Sequence, residues 1–197
     1  MHELLHKTIS LLWLLWLIYW IVSWSKSKQD EQRESESSRR LHSGLFVAGA
    51  VVMTFPDLLP PALNKRMIVE REWVYWLSAA LVAVGIAFAC WARAVLGTNW
   101  SAAVVLKQGH ELIRSGPYRY VRHPIYTGLF VALFGTALET GAWRGIISFA
   151  LIAIAIIYKY RAEEAFMIRK FGDEYYRYRA EVPALVPFWP PAGRGHA

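Results

Sequence analysis

Long apolar blocks separated by short polar segments dominate the pattern along this chain. The first block, residues 4–24, is nearly uninterrupted; the second, 41–59, is broken late by Pro56 and Asp57; the third covers 73–95. At about 1.5 Å of rise per helical residue, each block is long enough to cross the hydrocarbon core of a bilayer. We therefore predict a transmembrane helix over each of the three blocks.

Two further apolar blocks follow closely upon one another near the carboxyl end. Residues 124–138 are apolar, residues 139–142 supply a turn that contains Gly141, and residues 143–158 are apolar again. Two helices joined by so short a turn lie antiparallel, so the chain returns Glu163 to the membrane face on which His123 lies. The pattern predicts an all-α integral membrane protein with about five transmembrane helices, two of which form this carboxy-terminal hairpin.

The polar segments divide the chain into two regions. Residues 25–40 contain no apolar side chain and alternate in charge sign, which predicts a solvated linker or a helix end in water. Residues 96–122 are polar and contain glycines, so they must leave the apolar core, where irregular backbone would be unsatisfied. We predict a three-span membrane region over residues 1–95 and a hairpin region with its tail over residues 96–197.

Composition and charge support this assignment and predict an orientation. Hydrophobic residues make up 55% of the 197 residues, yet the chain carries 22 Lys and Arg. With five spans and an external amino terminus, seventeen of these cations lie on the inner side and five on the outer side. Because cytoplasmic loops are enriched in Lys and Arg, we expect an external amino terminus and a cytoplasmic carboxyl terminus.

The same basic residues and the cysteine content bear on partners. The cations lie between and after the apolar blocks, where they meet anionic lipid head groups, so we expect membrane lipids and not nucleic acid as partners. The one cysteine, Cys90, lies within an apolar block. It can form no intramolecular disulfide and no cysteine cluster, and we predict no metal site.

One stretch brings unusual chemistry to the start of the hairpin. The sequence YRYVRHPIY, residues 118–126, places tyrosines, arginines and a histidine directly before an apolar block, and Glu163 and Glu164 return to the same face. Each residue alone has a simpler interpretation, as an interfacial anchor or a solvated helix end. Together they suit the binding of a polar, partly charged cofactor beside the lipid, with catalysis by positioning.

These residues carry a family resemblance. The sequence SGPYRYVRHPIYTG, followed after the hairpin by RAEEAFMIRKFGDEYYRYRAEVPALVPF, resembles the isoprenylcysteine carboxyl methyltransferase family, which includes related phospholipid methyltransferases. The resemblance covers about residues 96–189. It implies methyl transfer from S-adenosylmethionine, with a cofactor pocket at the cytosolic face of the membrane and residues 96–197 as the catalytic region.

The resemblance also implies roles for individual residues. Matched position by position, the cofactor-binding set is His110, Glu111, Leu112, Ile113, Tyr118, His123, Pro124, Ile125, Tyr126 and Glu163. Arg161 and Glu164 are the candidate catalytic residues. An acceptor-binding cation precedes the glutamate pair, and both Lys159 and Arg161 fit its position.

The acceptor and two other functions stay open at this point. A lipophilic acceptor that arrives from the bilayer is expected, of the prenylcysteine carboxylate type or similar, with phospholipid N-methylation as the alternative. An NADPH-dependent membrane reductase of the steroid 5-alpha-reductase type and a lipid-binding scaffold are the other candidates. The tail VPALVPFWPP either packs under the cofactor site or faces lipid, and we expect it to skim the membrane.

Overall fold

Helices account for most of the residues described by the computed structural model, as the apolar blocks predicted. The described residues are 2–24, 30–33, 35–97, 105–107 and 112–188. In chain order the elements are α1 (His2–Trp24), β1 (Asp30–Arg33), α2 (Glu36–Thr54), α3 (Pro61–Asn64), α4 (Glu72–Leu96), β2 (Val105–Lys107), α5 (Pro124–Thr140), α6 (Trp143–Phe171) and α7 (Asp173–Glu181). Single 3-10 turns cover Pro56–Leu58 and Gly116–Arg119.

Local sequence signals set the ends of these helices. Ser35 caps α2, its hydroxyl accepting from the Ser38 amide at 3.4 Å, and the helix stops before Pro56. Pro124 opens α5, and because an N–H at the first helical position has no intrahelical acceptor, proline forfeits no hydrogen bond there. Gly141 ends α5 in the left-handed conformation, with φ of 62°. The predicted hairpin of α5 and α6 is therefore present, with its turn at the expected place.

Two helices extend beyond the predicted blocks. The helix α2 begins at Glu36, within residues 25–40, for which a solvated linker or a helix end in water was expected, and residues 36–40 form such a helix end. An exposed pair between Glu36 and Arg40 at 2.6 Å supports its first turn. The helix α6 continues past residue 158 as far as Phe171. The pair Glu163 and Glu164 thus lies on the last turns of a continuous helix, which holds both backbones rigidly.

A short strand pair was not predicted. The strands β1 and β2 run antiparallel, with Asp30 opposite Lys107 and Arg33 opposite Val105. Each strand belongs to a segment that the sequence analysis treated only as polar connection. Pairing two such segments satisfies backbone groups that a water-exposed linker would leave to solvent.

Three of the described helices are long and apolar enough to cross a membrane. They are His2–Ser23, Glu72–Leu96 and Trp143–Phe171. The helix α5 has 17 residues and α2 begins with a charged turn, so neither meets the same standard of length and hydropathy. The expected total of five spans stays a prediction.

Close packing between α4 and α5 fixes the position of the site described below. These two helices form the most extensive helix contact, and α2 packs against α6 in a second pair. A Cβ added to Gly85 would lie 2.5 Å from the Gly128 carbonyl oxygen and 2.5 Å from the Ala132 amide nitrogen. Small residues that allow such close backbone approach are typical of helix pairs in membranes. The first turn of α5 is thereby held at a fixed distance from α4.

Candidate active site

The first turn of α5 contacts the carboxy-terminal part of α6 through Glu163. The Tyr126 hydroxyl donates to Glu163 Oε1 at 2.5 Å, and Glu163 Oε2 lies 3.6 Å from His123 Nδ1. The hairpin pattern predicted this proximity, and the structure confirms it. Since the Glu163 side chain is 26% exposed, its oxygens are held by the protein and still within reach of a ligand.

Aromatic rings surround the His123 imidazole. The Tyr160 ring lies 5.1 Å from it and the Tyr126 ring stacks on it at 5.9 Å. The Lys159 ammonium lies 6.0 Å from the centre of the Tyr126 ring. Electron-rich ring faces attract cations, so this group of rings can also receive a cationic ligand atom.

The neighbouring carboxylate, Glu164, has a different environment. Its Oε1 accepts from Arg122 Nε at 2.8 Å and from Arg122 Nη2 at 2.6 Å, and His123 Nε2 lies 3.3 Å from the same oxygen. Arg179 Nε lies 3.5 Å from Glu164 Oε2. The Glu164 side chain is 9% exposed. Of these two consecutive glutamates, Glu163 is therefore partly exposed to solvent, on what we call the accessible side of the site, and Glu164 is buried among cations.

A segment of the tail, which we name the strap (residues 182–185), runs along the start of α5. Donors on α5 and on the residues just before it bind successive strap carbonyls: Arg122 N to Pro183 O at 2.9 Å, His123 N to Ala184 O at 3.0 Å, and Thr127 Oγ1 to Leu185 O at 2.6 Å. The strap thus packs against the start of α5, as one of the two expectations for the tail had it, and contact of the tail with the membrane surface stays a prediction. Its backbone carbonyls satisfy amides that a helix start leaves unpaired.

Two buried tyrosines connect the site to the helices around it. The Tyr118 hydroxyl donates to the Ala92 carbonyl at 3.3 Å, and the Tyr178 hydroxyl donates to the Tyr118 carbonyl at 2.5 Å. Burial raises the pKa of both phenols, and the charge of Glu163 adds to the rise at Tyr118. Both phenols therefore stay neutral donors near pH 7. The Tyr118 ring is buried and its hydroxyl is bonded to α4, so Tyr118 links the segment before α5 to that helix.

The remaining predicted residues occupy different surroundings. Leu112 packs against the cluster of Tyr175, Tyr178 and Val182, and Ile113 packs against the cluster that contains Tyr118 and Ile125. Pro124 and Ile125 are buried in the helix-packing core, and Arg161 is exposed on α6. His110 and Glu111 lie outside the described residues. The structure thus brings His123, Tyr126, Glu163 and Lys159 together, whereas Leu112 and Ile113 pack into neighbouring apolar clusters.

The predicted site set omitted Arg122, Tyr160 and Arg179. Arg122 directly precedes His123, and a buried arginine needs a carboxylate partner, so the pair with Glu164 was within reach of the sequence. Tyr160 lies three residues before Glu163, on the same helix face. The strap offered no comparable signal, because it contributes backbone carbonyls and these are the same for every residue type.

Taken together, these features define a helical membrane protein with a polar, carboxylate-containing site at the open end of a hairpin. A family model described as phospholipid methyltransferase matches residues 73–174, just over half of the 197 residues. The chain belongs to this family. The match includes α4 from its second residue onward, the hairpin and every site residue from His123 to Glu164.

Curated relatives confirm the resemblance to isoprenylcysteine carboxyl methyltransferases. Protein-S-isoprenylcysteine O-methyltransferase of Schizosaccharomyces pombe is 35% identical over 97 residues, which are 48% of this chain and 41% of the relative. Methanethiol S-methyltransferase of Crocosphaera subtropica is 35% identical over 71 residues, 36% of this chain and 27% of the relative. The matched stretch is less than half the length of each of these two relatives.

A solved structure shares the fold. The eukaryotic intramembrane Ras methyltransferase ICMT (isoprenylcysteine carboxyl methyltransferase) superposes with a TM-score of 0.54 at 22% identity, covering 79% of this chain and 54% of the other. This likeness concerns the arrangement of the helices. Together with the three apolar helices, it makes the chain an integral membrane protein.

Proposed function

We propose that this chain is an S-adenosylmethionine-dependent methyltransferase that acts at the membrane interface on a lipophilic acceptor, of the prenylcysteine carboxylate type or similar. The observation that carries the proposal is the contact of Tyr126 and His123 with Glu163 at the open end of the hairpin. Membership of the phospholipid methyltransferase family supports a transferase over the NADPH-dependent reductase considered above.

The residues present fit the methyl donor. S-adenosylmethionine supplies, when bound, a methyl group on a sulfonium, beside ribose hydroxyls and an amino-acid carboxylate. A partly buried carboxylate such as Glu163 can accept from hydroxyls or oppose the sulfonium charge, and His123 can donate to a carboxylate. The Tyr126 hydroxyl donates its one proton to Glu163 and so orients that carboxylate. The rings of Tyr126 and Tyr160 offer faces to a cation. Together these side chains would hold the donor and exclude water from it.

The burial of Glu164 favours an acceptor that needs no strong base. A carboxylate or thiolate attacks a methyl group directly, whereas an ammonium must first lose a proton. Two residues are candidates for this base, His123 and Glu164. Both ring nitrogens of His123 face glutamate carboxylates. Glu164 already accepts from Arg122 and lies beside Arg179. Its adjacent cations favour the ionised form but leave it poorly placed to collect a proton from an acceptor. We therefore place carboxylate or thiol acceptors ahead of phospholipid amines.

The acceptor-binding cation is better assigned to Lys159 than to Arg161. Lys159 and Glu163 are four residues apart and share a helix face, and the Lys159 ammonium lies 6.0 Å from the Tyr126 ring. Arg161 is turned about 200° around α6 from Glu163, because successive residues are about 100° apart. A lysine at this position would attract an anionic acceptor to the donor site.

A methyl-transfer assay tests the proposed function. Purified protein in lipid receives radiolabelled S-adenosylmethionine with one acceptor at a time: a farnesylcysteine analogue, methanethiol or phosphatidylethanolamine. We expect a base-labile methyl ester from the first and little label on phosphatidylethanolamine. Absence of stabilisation by S-adenosylhomocysteine in thermal unfolding, together with stabilisation by NADPH, would contradict the proposed function and favour the reductase.

We further propose that the amino terminus is outside and that the site and carboxyl terminus are cytoplasmic, which the distribution of Lys and Arg supports. The single cysteine permits a direct test. In a Cys90→Ala background, Lys7→Cys should react with an impermeant maleimide in intact cells, and Arg177→Cys only after permeabilisation. Labelling of Arg177→Cys in intact cells would show that the orientation is the opposite of the one proposed.

A further inference from the structure

Arg122 is a buried cation at the junction of four chain segments. Its side chain is 3% exposed, although arginine is seldom buried without a partner. It lies just before α5 and reaches α6 through Glu164, the end of α7 through the Arg179 carbonyl at 3.3 Å, and the strap through the Val182 carbonyl. No other side-chain contact of the described site joins so many segments.

The contacts of Arg122 determine where its neighbours stand. The guanidinium holds Glu164 Oε1 with two nitrogens, at 2.8 and 2.6 Å, and a planar guanidinium fixes direction as well as distance. Because Glu163 precedes Glu164 on the same helix, the hold on Glu164 limits rotation of this part of α6. The Arg122 amide also binds the strap at the Pro183 carbonyl.

The strap in turn orients His123. The His123 amide donates to the Ala184 carbonyl of the strap at 3.0 Å, and His123 Nε2 lies 3.3 Å from Glu164 Oε1. With Nε2 facing Glu164, His123 Nδ1 is left on the side of Glu163, at 3.6 Å from Oε2. Arg122 thus sets the surroundings of both His123 and Glu163 without itself reaching the accessible side.

We propose that Arg122 is a positioning residue for the methyl-donor site: through Glu164 and the strap it holds His123 and Glu163 in the arrangement that binds the donor. This inference rests on the proposed function, since it concerns the same site. It assigns the two glutamates different tasks. Glu163 contacts the donor. Glu164, held by Arg122, in turn holds the His123 ring through Nε2.

Arg122→Lys is the variant that separates positioning from simple stability. Lysine keeps the positive charge but is a point charge without the planar fork, so it cannot hold Glu164 and the carbonyls of Arg179 and Val182 in the same directions. The main-chain bonds from residues 122 and 123 to the strap do not depend on the side chain. We expect KM for S-adenosylmethionine to rise about tenfold or more, by analogy with residues that orient metal ligands, whose mutation costs about 10- to 100-fold in affinity or activity. With saturating donor, kcat should stay within about threefold, because Arg122 does not contact the transferred group.

The exposed Arg119, three residues earlier, supplies the matched control. Its guanidinium lies 5.1 Å from the Tyr120 ring, outside the contacts described for the site. Arg119→Lys should leave KM for the donor and for the acceptor unchanged. A purely structural role for Arg122 would instead lower the unfolding temperature of ligand-free Arg122→Lys while its folded fraction keeps the wild-type KM, and that result would overturn the proposal.

A double-mutant cycle tests whether Arg122 acts through Glu164. If it does, Arg122→Lys combined with Glu164→Gln should raise KM for the donor no more than the larger single change, because both remove one arrangement. Multiplied effects would mean that the two residues act separately and would contradict the proposal. All variants are compared at equal folded fraction, measured by fluorescence-detected gel filtration.

Binding of S-adenosylhomocysteine to the unaltered chain distinguishes the two proposals. If the wild-type protein binds none, the proposed function fails and the positioning role falls with it. If the wild type binds and Arg122→Lys binds with the same Kd, the proposed function stands and the positioning role of Arg122 is wrong.

Discussion

Replacing Glu163 with glutamine should weaken S-adenosylhomocysteine binding about 100-fold and reduce methyl transfer at least as much. Glu163 joins Tyr126, at 2.5 Å, to His123, at 3.6 Å. Glutamine is nearly the same size but neutral, so S-adenosylhomocysteine loses the charge-assisted bond to the carboxylate. Methyl transfer loses in addition any attraction between the carboxylate and the sulfonium of S-adenosylmethionine. Hydrogen bonds to charged groups contribute roughly 1.5–3 kcal/mol, or about 10- to 100-fold in affinity. Isothermal titration with S-adenosylhomocysteine measures the change directly.

Glu174→Gln is the control for this substitution. Glu174 is exposed on α7, and the same change of charge there should leave affinity within about twofold, as surface substitutions usually do. An unchanged Kd for Glu163→Gln, in protein that unfolds at the wild-type temperature, would mean that Glu163 does not contact the donor. The proposed function would then lose its main support.

Replacing Gly85 with leucine should strongly destabilise the folded protein. A Cβ at Gly85 would lie 2.5 Å from backbone atoms of Gly128 and Ala132 on α5, and backbone cannot move aside as a flexible side chain can. Overpacking typically costs about 1–3 kcal/mol and more where helices must separate. We expect the unfolding temperature to fall by about 10 °C, given roughly 2–4 °C per kcal/mol for a chain of this size. Thermal unfolding followed by intrinsic tryptophan fluorescence measures the shift.

Gly44→Leu is the matched control, because a Cβ at Gly44 meets nothing within 4 Å. The same glycine-to-leucine change in α2 should leave the unfolding temperature within a few degrees, since it adds an exposed side chain to a helix. Equal stability of the Gly85 and Gly44 variants would mean that α4 and α5 do not pack through their glycines. The position of α5, and of His123 at its start, would then need another explanation.

The hairpin shows how much of the site the sequence could predict. Two apolar helices joined by only four residues must lie antiparallel, so the proximity of His123 and Glu163 followed from the lengths of the two blocks and the rise per helical residue. The start of α5 at Pro124 and its end at Gly141 were equally local. The three spans His2–Ser23, Glu72–Leu96 and Trp143–Phe171 followed from hydropathy, because exclusion of charge from the bilayer is a property of the segment itself.

The two glutamates and the strap show what only the tertiary structure decided. Glu163 and Glu164 are adjacent and chemically identical, and no local pattern distinguishes the one that reaches the open side from the one buried against Arg122. The strap binds through the carbonyls of Pro183 and Ala184, and backbone carbonyls leave no mark in a sequence. Sequence by itself determined the class of fold and the residues that converge; packing determined the direction of each side chain, because direction depends on neighbours that are distant along the chain.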